Sequence, residues 1–96
     1  MNYYIFYCED APHVLEKRKS VRPAHISRLQ ILSDQKRLLT SGPMLQNNVI
    51  CGSLIIAAFE NEEEAKAWIA ADPYVTAEVY QRVTVKSFIN VAETLL

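Results

Sequence analysis

Residues 22–29 read Arg22-Pro23-Ala24-His25-Ile26-Ser27-Arg28-Leu29 and place a lone histidine on the side of a helix that should be buried. If the stretch is helical after Pro23, then His25, Leu29 and Leu32 stand at i, i+4 and i+7, which is one helix face. An imidazole on an apolar stripe is either a buried core group whose hydrogen bonds are satisfied or a functional residue of a pocket. The stretch alone leaves both interpretations open, and a second polar residue on a later stripe, Asp72, bears on the choice.

The pattern around this stretch predicts the other elements of the first half. Pro23 would lose a backbone hydrogen bond and clash in a straight helix, so we expect a break or kink near Val21-Arg22. Gly42-Pro43 does not fit a central strand, and Asn47-Asn48 suits a tight hairpin turn. The predicted elements are a strand at Tyr3–Cys8, helical pieces at about Pro12–Ser20 and Pro23–Lys36, and a second strand at Leu38–Leu45 that is interrupted or lies at an edge.

The second half of the chain continues with a strand, a helix and a strand. Gly52–Phe59 is the most hydrophobic strand, and Asn61 is a good N-cap for the helix that follows. The acidic run Glu62–Glu64 is interpreted as helix initiation, because negative charge favours the N-terminal end of a helix. Asp72-Pro73 ends the helix, a further turn follows at 74–78, and Tyr80–Phe88 alternates as the last strand.

This order predicts one ferredoxin-like βαββαβ domain over residues 1–96, of the α+β class. Its four-stranded antiparallel sheet carries both helices on one face. The opposite face still bears side chains such as Tyr4 or Ile5 that need cover, and a second sheet is the natural partner. We therefore expect a homodimer that packs sheet to sheet.

Composition and spacing argue against several classes of partner. The formal net charge is −1 and no basic face is evident, so no nucleic-acid partner is expected. Apolar runs reach only about six residues, far below a membrane span, so no membrane partner is expected. No signal peptide is recognised, which makes the cytoplasm the expected compartment, with Cys8 and Cys51 as small buried apolar residues. His13 and His25 lack a metal-ligand spacing, and the two glycines form no phosphate loop, so neither metal nor cofactor is expected.

His25 and Asp72 are the candidate catalytic pair. Both helices lie on one sheet face, so the polar ends of their stripes can converge. A carboxylate bonded to one ring nitrogen fixes the tautomer and makes the other nitrogen a general base. The alternative role for Asp72 is to cap a helical turn after Pro73, and the two roles are compatible because a carboxylate has two oxygens.

Three further residues are candidates for substrate binding. Arg18 and Arg22 lie on the same side of the helical wheel as His25, although arginines on a helix are usually solvated. A cation there would hold an anionic or phenolate substrate. Ser53 is a candidate pocket hydroxyl, but no G-x-S-x-G elbow or catalytic triad is present.

Several stretches together resemble the YciI-like (YCII-related) family, and they follow the family's order along almost the whole chain. This resemblance implies a dimeric α/β barrel and an active site whose His–Asp pair maps to His25 and Asp72. The wider superfamily includes muconolactone isomerases, small cofactorless monooxygenases and a dehydrochlorinase acting on a chlorinated hydroxyhydroquinone. The stretches are Leu15-Glu16-Lys17-Arg18, residues 22–29, Gly42-Pro43, Gly52-Ser53 and Ala71-Asp72-Pro73-Tyr74-Val75.

The segment between Gly42-Pro43 and Gly52-Ser53 departs from the family pattern. It is shorter than is usual, and Cys51 stands where threonine is common. A trimmed loop leaves the pocket more open or changes its substrate, so the departure concerns specificity more than the His–Asp pair.

Two functional hypotheses follow. In the first, the chain is a cofactor-independent enzyme in which His25 is the general base or acid, Asp72 orients it, and Arg22 or Arg18 with Ser53 positions a small anionic or hydroxylated molecule. The reaction is then a proton transfer that leads to elimination or isomerisation. In the second, the chain is a non-catalytic dimeric module that binds a small metabolite or a partner protein, because fold alone does not choose between them.

Overall fold

The sheet and helices of the computed structural model, which describes residues 1–95, form the predicted βαββαβ arrangement. The four strands pair antiparallel in the order β2-β3-β1-β4, so the two central strands are the first and the third. This confirms the α+β ferredoxin-like class. The elements are β1 (Asn2–Asp10), α1 (Leu15–Asp34), β2 (Leu38–Gln46), β3 (Val49–Phe59), α2 (Glu62–Ala70), α3 (Pro73–Thr76) and β4 (Tyr80–Phe88), followed by a 3₁₀ turn at Val91–Thr94.

The core lies between the helices and one face of the sheet. Phe6 of β1 is opposite Ile55 of β3 and Val85 of β4, so the three side chains share the helix-covered face. Phe6, Phe59 and Trp68 form an aromatic cluster with ring centroids 5.3–5.7 Å apart. These contacts lock α2 onto the two central strands.

Strand alternation decides which side chains the open face of the sheet carries. Tyr4 is 5% exposed and belongs to the core, so its expected place on the open face is wrong. Its neighbour Ile5 lies on the open face, directly opposite Ile56. Tyr7 and Leu54 form the next pair on that face, and Tyr7 is 46% exposed.

The first helix is continuous, which corrects the two pieces and the break expected near Val21-Arg22. α1 runs for 20 residues with Pro23 inside it. Pro23 is exposed, so the carbonyl that its ring displaces can turn to water rather than stay unsatisfied. Buried residues on both sides of the proline, Arg18 before it and His25 and Leu29 after it, pack against the protein and keep the helix continuous.

α1 begins later and ends earlier than predicted, because a residue with left-handed backbone lies beyond each end. His13 and Lys36 both have φ of 59°, a conformation that an α-helix does not contain. The helix therefore begins at Leu15 rather than at Pro12, and it ends at Asp34 rather than at Lys36. Single residues of this kind leave little trace in hydrophobic periodicity.

The hairpin and the second helix follow their predicted signals. Asn47 and Asn48 have φ of 53° and 64° and form a two-residue turn between β2 and β3. β2, which contains Gly42-Pro43, is an edge strand as expected. At the start of α2, Asn61 Oδ1 accepts a hydrogen bond of 2.8 Å from the backbone N–H of Glu64.

The two cysteines differ in their surroundings. Cys8 is fully buried, and burial, followed by the charge of Asp72, raises the pKa of its thiol to about 12. Cys51 is half-buried, so the expectation that both are buried is wrong for Cys51. Both thiols are free. Separately, none of the helices within residues 1–95 has the length and apolar character needed to cross a bilayer.

Candidate active site

His25 and Asp72 meet in the interior of the subunit. α1 presents His25 on its buried stripe, while Asp72 stands at the junction of α2 and α3. His25 Nδ1 lies 2.9 Å from Asp72 Oδ1 and 3.1 Å from Oδ2. Asp72 is fully buried and His25 is 5% exposed, so water competes little for this hydrogen bond.

Asp72 also caps the short helix α3, so the structure combines both interpretations of this residue. Its Oδ1 accepts a hydrogen bond of 2.9 Å from the backbone N–H of Tyr74, and its Oδ2 accepts one of 3.1 Å from Arg28 Nη1. These two partners can only donate, which favours an ionised carboxylate. A carboxylate in turn requires Nδ1 of His25 to carry a proton, which leaves Nε2 as the basic atom of the neutral ring.

Arg28 is a part of this cluster that the sequence did not assign to the site, because arginines on a helix are usually solvated. Besides Asp72, it donates to the Trp68 carbonyl at 2.7 Å, and its guanidinium lies over the Trp68 ring at 4.7 Å. It therefore ties α1 to α2 and stabilises the buried Asp72 carboxylate. Its spacing of three residues from His25 indicated a neighbouring position on the helix. Its partner Asp72 lies on another element, so the pairing was not predictable from spacing.

Tyr74 covers one side of the histidine. The two rings are stacked, with centroids 4.1 Å apart and planes 23° from parallel. Burial raises the pKa of the Tyr74 phenol, while the charges of Arg18 and Arg22 act in the opposite direction. Tyr74 therefore stays neutral at physiological pH and restricts the imidazole to one plane.

Arg18 and Ser53 meet on the β3 side of the site. Arg18 Nη2 donates to Ser53 Oγ at 2.5 Å, and Arg18 Nε donates to Asp10 Oδ2 at 2.7 Å. The Arg18 guanidinium also lies 4.7 Å from the centre of the Tyr74 ring. Asp10, at the end of β1, was not among the sequence candidates, because nothing in its local pattern marks it as a partner of α1.

Gly52 allows β3 to place Ser53 at this point. A Cβ at Gly52 would overlap the carbonyl oxygen of Cys8 on the neighbouring strand, so any larger residue forces the strands apart. Cys8 and Ser53 are direct cross-strand partners in this register. The glycine is therefore required by close backbone approach rather than by an unusual φ.

A cavity of about 380 Å³ opens beside the histidine. Four of the five candidate site residues line it, and Asp72 lies behind His25, out of the lining. The His25 Nε2 atom has no hydrogen-bond partner among residues 1–95. The candidate residues on the wall are Arg18, Arg22, His25 and Ser53, and apolar cover comes from Leu15, Ile26, Leu29, Leu38, Pro43 and Ile50.

The site offers a proton-transfer group rather than a ligand set for a metal. Within the described part of the chain, no three His, Cys, Asp or Glu side chains gather as metal ligands would. What the arrangement supplies is a tautomer-fixed imidazole at the wall of a largely apolar cavity, with cations and a hydroxyl nearby. His13, by contrast, lies outside this cavity, among the residues of the β1–α1 loop.

Fold and site together define a ferredoxin-like α+β domain with a buried His–Asp pair beside a small cavity. The family model of the YCII-related domain matches residues 1–89, and the chain belongs to this family. It is 52% identical to Protein YciI of Escherichia coli O6:H1, across 88% of this chain and 94% of that protein. It is also 46% identical to an uncharacterized protein of Haemophilus influenzae, across 90% of this chain and 95% of that protein.

Among solved structures, the fold is similar to that of 5-chloro-2-hydroxyhydroquinone dehydrochlorinase (TftG) from Burkholderia phenoliruptrix AC1100, in complex with 2,5-dihydroxybenzoquinone. The TM-score is 0.84 at 22% sequence identity, covering 95% of this chain and 97% of that one. At this identity the likeness shows the shared fold.

Proposed function

We propose that this chain is a small cofactor-independent enzyme that moves a proton with His25, oriented by Asp72, on a small anionic or hydroxylated molecule. The observation that carries the proposal is the His25–Asp72 hydrogen bond at 2.9 Å, in a ring whose other nitrogen is unpartnered at a cavity wall. A buried carboxylate that only fixed the fold would not need a cavity on the far side of the imidazole.

The proposed chemistry uses the ring as a base and then as an acid. Nε2 takes a proton from a C–H or O–H group of the substrate, and the resulting imidazolium is stabilised by the Asp72 carboxylate. In an elimination, the electron pair of the broken C–H bond forms the new double bond, and the leaving group departs with its own bonding pair. In an isomerisation, Nε2–H returns the proton to a different atom of the same molecule.

The comparisons support the class of reaction and ligand without fixing either. The YCII-related family supplies the fold, and one fold neighbour is named for removal of hydrogen chloride from a hydroxylated ring. That is an elimination on a molecule small enough for a cavity of about 380 Å³. The largely apolar lining of the present cavity suits a ring of this kind, with polar groups directed at His25, Arg22 and Ser53.

An activity panel tests the proposal. Purified protein is incubated with 5-chloro-2-hydroxyhydroquinone, measuring chloride release, and with small phenols and keto acids in D₂O, measuring C–H exchange by NMR. We expect turnover of at least one compound and a loss of about 10²–10⁴-fold in His25→Ala, because the proton-transfer group is removed.

The control variant is His13→Asn, which removes the chain's other histidine, and asparagine tolerates its positive φ. It should leave turnover unchanged. Equal turnover by His25→Ala and the unmodified chain contradicts the proposal. Binding of panel compounds without any turnover favours the non-catalytic binding module instead.

The open face of the sheet supports a second copy of the chain as partner. Ile5, Tyr7, Leu54 and Ile56 form an apolar patch on β1 and β3, away from the helices. A sheet packed on this patch would complete the dimeric α/β barrel that the family resemblance implies. Sedimentation velocity at micromolar concentration should give a dimer, and Tyr7→Lys should shift it toward monomer. A monomer before substitution contradicts this expectation.

A further inference from the structure

The cavity beside His25 carries positive charge on its wall and no carboxylate. Its lining includes Arg18, Lys19 and Arg22, while no Asp or Glu contributes to it. Asp10 and Asp72 are not part of the lining, and each is paired with an arginine. This excess of positive charge would favour an anionic ligand over a neutral one. The three cations differ in whether another protein group already pairs with them.

Arg18 is already paired with a carboxylate inside the protein, so less of its charge is left for an incoming anion. Its side chain is 9% exposed and pairs with Asp10, itself 5% exposed, at 2.7 Å. Its Nη2 group donates to Ser53, and the guanidinium face covers Tyr74. Breaking these contacts would leave a buried carboxylate unpaired, which is costly. Arg18 is thus a positioning residue for Ser53 and Tyr74.

Lys19 and Arg22 remain, and they differ in their partners. Lys19 is a surface residue, 75% exposed in its side chain, within 3.5 Å of Glu16. Arg22 forms no ion pair with any of residues 1–95, and it precedes His25 by three residues on the same helix. That spacing places it about 4.5 Å along the helix axis from the histidine. Its charge acts on Tyr74, the ring stacked on His25.

Resting on the proposed function, we infer that Arg22 forms a carboxylate subsite at the cavity mouth, so the natural ligand is a small, largely apolar carboxylic acid. The guanidinium fork matches the two oxygens of a carboxylate. One free cation balances one negative charge, whereas a phosphate dianion calls for several donors converging from a loop or helix end. The apolar wall holds the rest of the ligand, and the atom that loses its proton lies one helical turn away, at His25.

Benzoate and benzamide make a matched pair of probes, because they share size and shape and differ in charge. Binding is measured by isothermal titration and by NMR shifts of the His25 ring and the Arg22 side chain. We expect the unmodified protein to bind benzoate at least about tenfold more tightly than benzamide, as charge-assisted hydrogen bonds allow. In Arg22→Gln this preference should disappear, while Lys19→Gln, a matched loss of one cation at the same cavity, should keep most of it.

Each result decides the inference. Equal binding of the two probes, binding of neither up to the solubility limit, or a preference that survives Arg22→Gln overturns it. Arg22 and Lys19 are both exposed on α1, so folded variants are expected, and circular dichroism verifies this. The readout needs no turnover, so a benzoate preference that depends on Arg22 in a protein inactive on every substrate would sink the catalytic proposal and leave this one standing.

Discussion

Replacing Asp72 with alanine is expected to lower the free energy of unfolding by about 3–5 kcal/mol, the range for removing one partner of a buried ion pair. The fully buried carboxylate accepts hydrogen bonds from His25, Arg28 and the Tyr74 backbone. Alanine would leave these donors unsatisfied and would remove the N-cap of α3. Urea denaturation at neutral pH measures the loss, and a fall in Tm of more than about 10 °C should accompany it.

Two companion variants separate charge from capping. Asp72→Asn keeps an oxygen for the Tyr74 N–H and loses the charge, so its cost should be clearly smaller than that of alanine. Combining Asp72→Ala with Arg28→Met removes the stranded cation, and the pair should be less destabilising than the sum of the single changes by at least about 1 kcal/mol. A stability of Asp72→Ala within about 1 kcal/mol of the parent would contradict this account of the cluster.

Local signals were sufficient for most of the fold. Asn47-Asn48 fixed the hairpin because both residues tolerate left-handed backbone, and Asn61 marked the start of α2. The limits of β4 follow directly from its alternation. The break expected at Pro23 was wrong, because the local cost of a proline says nothing about the packing that keeps α1 continuous through it.

For the site, too, local sequence patterns were informative, whereas contacts between distant elements were not predictable. The helical stripe placed His25 on the buried side, and Asp72 followed from an equivalent stripe with Pro73 after it. Arg28 and Asp10 were missed as site residues, since their partners come from other elements and only the assembled fold brings them together. The pairing of Arg18 with Asp10 was likewise not predictable from spacing, because the two residues come from different elements.

A second prediction for Asp72 concerns which nitrogen of the His25 ring carries the proton. In Asp72→Asn, the side-chain oxygen should take the place of Oδ1 and keep the Tyr74 N–H, because the cap of α3 depends on it. The amide NH₂ group then takes the place of Oδ2, where it no longer accepts from Arg28 and lies 3.1 Å from His25 Nδ1, within reach to donate to that nitrogen. A donor at that point requires Nδ1 to be the bare nitrogen, so the proton moves to Nε2. The ring would then face the cavity with N–H instead of a lone pair, and it would no longer accept a proton from substrate.

We therefore expect Asp72→Asn to lower kcat by about 10²–10⁴-fold while KM changes little, because the cavity wall is untouched and only the basic atom is lost. The ¹⁵N chemical shifts of the His25 ring report the tautomer independently of any substrate. The parent should show the proton on Nδ1, and the variant should show it on Nε2. An unchanged tautomer together with unchanged kcat would contradict the orienting role of Asp72, whereas a reversed tautomer with full activity would show that Nε2 is not the base.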